Sequence, residues 1–156
     1  PCSITKMDPN DEMRQVYENL VHWADVVIVS TPIRWGSASS LYYKMAERLN
    51  SIQNQITLKD RVLIQNKVAA FIITGGQDNI QAVAGQMLTF FSELGYVSPA
   101  FPFVGHSLGW SSEDMERNMD YVKDSTYLHK QSFELIQRAV ELSKKLITHN
   151  THEVSL

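Results

Sequence analysis

Val26-Val27-Ile28-Val29-Ser30, running into Thr31-Pro32-Ile33-Arg34-Trp35-Gly36-Ser37-Ala38-Ser39, is the stretch on which the fold turns. Four consecutive β-branched apolar residues without alternation read as a strand buried on both faces, the kind that parallel sheets use. A second such run is Val68-Ala69-Ala70-Phe71-Ile72-Ile73, closed by Thr74-Gly75-Gly76. A third, Ala100-Phe101-Pro102-Phe103-Val104 before Gly105, is demoted toward a sheet edge by Pro102.

Helical patterns fill the intervals. Met13, Val16, Tyr17 and Leu20 give one between Asp11 and Trp23, with Asp8 or Asn10 as its cap. Leu41, Met45 and Leu49 give another after Ser39-Ser40, and Val83, Met87, Phe90, Phe91 and Leu94 a core-facing one stopped by Gly95. Ser111 and Asp114 form a capping box ahead of Met115, Met119 and Val122. A long helix carrying Leu128, Phe133, Ile136, Val140 and Leu146 or Ile147 on its apolar side follows Asp124-Ser125. Residues 53–66 read as an extended excursion, and the polar tail from about residue 148 reads as frayed. Strands alternating with helices imply one α/β domain over residues 1–156, a doubly wound parallel sheet covered on both faces. In such a sheet ligands sit outside the carboxyl ends of the strands.

Composition narrows the function classes. The chain has 156 residues, 44% hydrophobic and 20% charged, with a formal charge of −3. That balance lacks the basic surplus that grips nucleic acid, and no apolar run approaches the ~20 residues of a membrane span. A soluble, cytoplasmic protein is expected. A lone cysteine, Cys2, cannot hold a metal cluster, and His149 and His152 read as a solvated tail rather than a metal site.

The strand ends carry the informative residues. Three successive ends combine glycines with polar groups: Thr31 to Ser37, then Thr74-Gly75-Gly76-Gln77-Asp78-Asn79, then Gly105-His106-Ser107-Leu108-Gly109-Trp110. Two of them add a tryptophan, which turn chemistry does not require, so together they suggest a site for a planar ligand. Gln77 and Asp78 offer amide and carboxylate groups to a heteroaromatic edge, and His106 stands at the third strand's end. Arg34 is either a cation for an anionic ligand or a surface partner of a carboxylate.

The first loop, leading into a helix with Lys44, Glu47 and Arg48, resembles the flavin loop of the flavodoxin-like NAD(P)H-dependent FMN reductases, approximately S-P-x-Y-W/F-G-x-x-S. The branch in question includes the iron-sulfur flavoproteins and quinone reductases. Thr74-Gly75-Gly76 resembles the family's second flavin loop; Arg34 departs from its usual tyrosine. The resemblance implies a flavodoxin-like fold that binds FMN through Thr31, Pro32, Ile33, Arg34, Trp35, Gly36, Ser37, Thr74, Gly75, Gly76, Gln77, Asp78 and His106. It further implies hydride taken from NADPH or NADH through the flavin to a quinone, free flavin or other small acceptor, in a homodimer or homotetramer. The alternatives are an electron-transfer flavodoxin without a nucleotide site and a flavin-free association module. The family's phosphate loop and first strand-helix-strand portion have no counterpart before Asp11, which predicts an open sheet edge at Val26–Val29 and weak FMN binding by this segment alone.

Overall fold

The computed structural model describes residues 8–75, 79–107, 109 and 111–153, with side chains through residue 148. Its centre is a parallel sheet in the order β1 (Val26–Pro32), β2 (Val68–Gly75), β3 (Phe103–Ser107). Val26 faces Val68 and Pro32 faces Thr74 across the first pair; Phe71 faces Phe103 and Gly75 faces Ser107 across the second. Parallel neighbours need long crossovers. The first runs through α2 (Ser40–Arg48) and α3 (Asn50–Lys59), the second through α4 (Ile80–Leu94).

β2 is the buried spine. Its side chains alternate between two apolar layers, as the period of two demands. Ala69, Phe71 and Ile73 face a layer made with α1 (Met13–Glu18), α2, α3 and α4, through Tyr17, Leu49, Ile52, Val83, Met87 and Phe91. Val68 and Ala70 face the other layer, made with Leu128, Leu135 and Ala139 of α6 (Thr126–Glu153). β1 divides the same way, Val27 and Val29 to the first layer, Val26 and Ile28 to the second. Those four residues are half-buried, because among the described residues β1 is an outer strand of the sheet, paired on one side by β2.

Several sequence expectations need correction. The strand expected over residues 100–104 lies instead at Phe103–Ser107, so Gly105, His106 and Ser107 belong to β3 and not to a loop. Phe101 has φ 51°, a left-handed turn that delays the extended run past Pro102. Residues 53–59 are helical, completing α3, which ends where Asp60 turns left-handed at φ 50°. Asp11, rather than Asp8 or Asn10, lends a carboxylate oxygen to the Met13 N–H at 3.0 Å. α1 runs on as a π-helical stretch, Asn19–Trp23, closed by Ala24 N–H donating to the Asn19 carbonyl at 2.8 Å.

On α6 the packed side is Leu128, Leu135, Ala139, Leu142 and Leu146, while Phe133, Ile136, Val140 and Ile147 stay exposed. The helix also continues to Glu153, through residues expected to fray. Cys2, Gly76, Gln77, Asp78, Leu108 and Trp110, and the side chains of His149 and His152, lie outside the described residues. Among the described residues no helix is long and apolar enough to cross a membrane.

Candidate functional site

The loop after β1 is built as a small hairpin. Arg34 N–H donates to the Ser37 carbonyl at 2.7 Å and Ser37 N–H returns to the Arg34 carbonyl at 3.0 Å. Its two tip residues both have positive φ, Trp35 at 52° and Gly36 at 72°, as a type I′ turn requires. Glycine adopts that region freely; tryptophan does so at a cost. The result is a tryptophan held 95% exposed.

Inside the loop the braces are polar. Thr31 is buried, and its hydroxyl accepts from Ser39 N–H at 3.0 Å while donating to the Pro32 carbonyl at 3.2 Å. Thr31 therefore ties the loop's ends together instead of facing a ligand. Ser39 also caps α2, accepting from Tyr42 N–H. Ile33 N–H donates to the Thr74 carbonyl at 2.7 Å, stitching the loop to β2. Gly75 permits this contact: a Cβ there would stand 2.8 Å from Ile33 Cβ. Its missing side chain makes room for the protein's own loop. From the far side Asn79 donates its amide to the Gly36 carbonyl.

A cavity of about 780 Å³ opens above these strand ends. Pro32, Ile33, Arg34, Trp35, Thr74 and Gly75 line one side. The facing wall is α5 (Ser112–Asp124), through Met115, Asn118, Met119, Val122 and Lys123. The volume and the mixture of apolar lining with few polar groups suit a small-molecule site. Asn118 Oδ1 is shielded from solvent and has no hydrogen-bond partner among the described residues. A buried acceptor left unpaired is costly, and a ligand N–H would satisfy it. Arg34 forms no ion pair among the described residues, so the surface-carboxylate alternative has no support there.

Of the sequence-predicted residues, Pro32 to Trp35 with Thr74 and Gly75 meet at the cavity, whereas Gly36 and Ser37 shape the turn beside it. His106 stands apart from the lining, stacked on Tyr121 with ring centroids 3.9 Å apart and planes 19° from parallel. Burial lowers its pKa from the usual 6.5, and its Nε2 is buried without a hydrogen-bond partner among the described residues. Arg48, matched to the family's loop-and-helix pattern, pairs with Asp11 at 2.7 Å and locks α2 to the start of α1. That hydrogen bond lowers the Asp11 pKa below its ordinary 3.8.

The α5 wall was the missed half of the site. Its stripe of Met115, Met119 and Val122 was visible at helical spacing, yet α5 buries none of its residues. Of the stripe, Val122 packs against the core while Met115 and Met119 stay exposed, and an apolar stripe left largely exposed is the signal for a wall that faces a cavity.

Comparison with known proteins bears on the family and the fold. The family described as NADPH-dependent FMN reductase matches residues 2–108. An 8-demethyl-8-aminoriboflavin-5′-phosphate synthase of Streptomyces davaonensis is 30% identical over 76 residues, covering 49% of this chain and 30% of that protein. An iron-sulfur flavoprotein of Methanocaldococcus jannaschii is 33% identical over 69 residues, covering 44% of this chain and 32% of that protein. The chain thus spans about a third of the length of these curated relatives. The crystal structure of RosB with its bound intermediate 8-demethyl-8-formylriboflavin-5′-phosphate matches with a TM-score of 0.77 at 20% identity, over 92% of this chain and 56% of that one. The shared architecture is flavodoxin-like.

Proposed function

Because the chain belongs to the NADPH-dependent FMN reductase family, we propose that the strand-end cavity receives the isoalloxazine ring of FMN in an oxidoreductase. Hydride from NADPH or NADH passes through the flavin to a quinone, free flavin or other small acceptor. The observation that carries this reading is Trp35, held in a left-handed turn and 95% exposed at the lip of a 780 Å³ cavity. Backbone strain of this kind concentrates at binding sites.

The bound flavin supplies the hydride and electron chemistry, so the chain's residues only have to bind, orient and shield it. Pro32, Ile33 and Trp35 offer an apolar wall to the ring. Thr74 and Gly75 bring the end of β2 to its edge, with Gly76, Gln77 and Asp78 next in sequence. Thr31, Gly36 and Ser37 hold the loop's shape, and His106 steadies α5 through Tyr121. Arg34 places a positive charge at the rim, where it favours an anion. The same reading includes a homodimer or homotetramer, for which exposed Trp35 offers apolar surface.

The test is to purify the product of the full reading frame, record its visible spectrum, add FMN and follow NADPH oxidation. Flavin absorbance and NADPH consumption with a quinone acceptor are expected. A colourless protein that fails to take up FMN refutes the reading.

A further inference from the structure

A second cavity, of about 530 Å³, lies among α2, α3 and α4 and shares no residue with the strand-end site. Ala46, Phe90 and Leu94 give it an apolar floor, and Glu47 and Glu93 bring carboxylates from α2 and α4. Neither glutamate forms an ion pair among the described residues, and no basic side chain lines the space. Both stand in the last turn of their helix, where the peptide dipoles already gather negative charge and a cation is the favoured neighbour. α4 has no basic residue in its last turn, and Arg48 of α2 is spent on Asp11. Gln53 adds an Oε1 that is shielded from solvent and has no hydrogen-bond partner among the described residues. A ligand N–H would satisfy it.

Along α4 the cavity continues into a furrow of about 440 Å³, which shares Phe90 and Glu93 with it. Gly85 lines the furrow in the middle of α4, and a Cβ there would meet no atom within 4 Å. A mid-helix glycine costs stability relative to alanine, and no packing within the described chain requires this one. It leaves the helix backbone open to close approach from outside. From Gly85 to Leu94 the helix rises about 13 Å at ~1.5 Å per residue, so the groove is elongated. We infer that it holds a linear organic cation, an alkyl polyamine. Glu47 and Glu93 take its ammonium groups, Gln53 accepts a hydrogen bond, and the methylene chain lies along Phe90 and Gly85. The Phe90 ring presents a face that attracts a cation. Because its lining is separate, the groove keeps this preference whether or not the strand-end cavity takes FMN.

The full-length protein is titrated calorimetrically with spermidine and with uncharged 1,8-octanediol. Spermidine is expected to bind about tenfold tighter than the diol at low salt, and the gap to narrow at high salt. Glu47→Gln and Glu93→Gln should each weaken spermidine about threefold, and together about tenfold. Glu141→Gln removes the same charge from the exposed side of α6 and should leave the affinity unchanged. Gly85→Leu fills the furrow and should also weaken spermidine, while its melting temperature, equal to or above the parent's, shows that the helix is intact. Equal affinity for both probes overturns the inference, as does a double glutamine variant that binds like the parent. An equal loss in Glu141→Gln overturns it too, since net charge alone would then explain the binding. Flavin uptake is read separately by visible absorbance. FMN uptake without spermidine preference refutes this inference alone, and spermidine preference without FMN uptake refutes only the flavin reading.

Discussion

Replacing Trp35 with glycine should make the protein more stable and a poorer flavin binder. Trp35 has φ 52° and is 95% exposed, so it contributes almost no burial while occupying a conformation suited to glycine. The left-handed region costs an L-residue about 1–2 kcal/mol. Glycine removes that cost but loses about 0.5–1 kcal/mol through the extra freedom of its unfolded chain. The net gain is about 0.5–1 kcal/mol. At about 2–4 °C per kcal/mol for a chain of this size, Tm rises by about 1–4 °C. Removing the aromatic wall should cost FMN binding about 1 kcal/mol, roughly fivefold in Kd. Calorimetric melting and flavin titration of the Trp35→Gly protein against its parent measure both effects. A lower Tm would mean that Trp35 is held by packing, and an FMN affinity within twofold of the parent would mean that it does not touch the ring. Either result breaks the link between strain and site.

Two further predictions concern the supports. Gly75→Ala would drive a methyl group to 2.8 Å from Ile33 Cβ and 3.3 Å from its backbone nitrogen, so the hairpin must lift from β2. Overpacking of this kind costs about 1–3 kcal/mol; melting should show it, and Ile33→Ala should fail to rescue it because the clash is with Cβ and backbone. A Gly75→Ala protein that melts with the parent refutes that packing. His106 titrates below its usual 6.5 because burial disfavours its charged form. Its contribution is complete above about pH 6.5 and is lost as the pH falls below that, where the unfolded chain takes up the proton first. Tm measured at descending pH should fall less steeply for His106→Phe than for the parent; parallel curves would disprove the coupling.

The sheet was legible where composition alone decides. Val26–Val29 and Val68–Ile73 have no polar residue that could face water, so only a covered parallel strand accommodates them. α6 shows where periodicity runs out. Its sequence holds two apolar stripes at helical spacing, Leu128, Leu135, Ala139, Leu142 and Leu146 beside Phe133, Ile136, Val140 and Ile147. Both stripes are strongly apolar, so spacing does not choose between them, and it is Leu128, Leu135 and Ala139 that lie buried against the sheet. α3 was hidden for the opposite reason, since it buries little beyond Ser51 and Ile52 and therefore lacks a clear stripe. The hairpin side of the site was readable from local turn chemistry. Its α5 side depends on a shared cavity lined by residues about 90 positions apart, such as Arg34 and Lys123, which no local pattern encodes.

α5 buries no residue, and besides Val122 its hold on the body includes the single His106–Tyr121 stack. The cost of detaching it is therefore a small fraction of the cost of unfolding β2, whose Val68 to Phe71 are fully enclosed. Amides of α5 should exchange with solvent deuterium through a local opening that leaves the sheet intact. The lifetime of anything held against this helix is then set by how often that opening occurs, and residence time becomes tunable at Tyr121 without altering a single atom of the cavity lining.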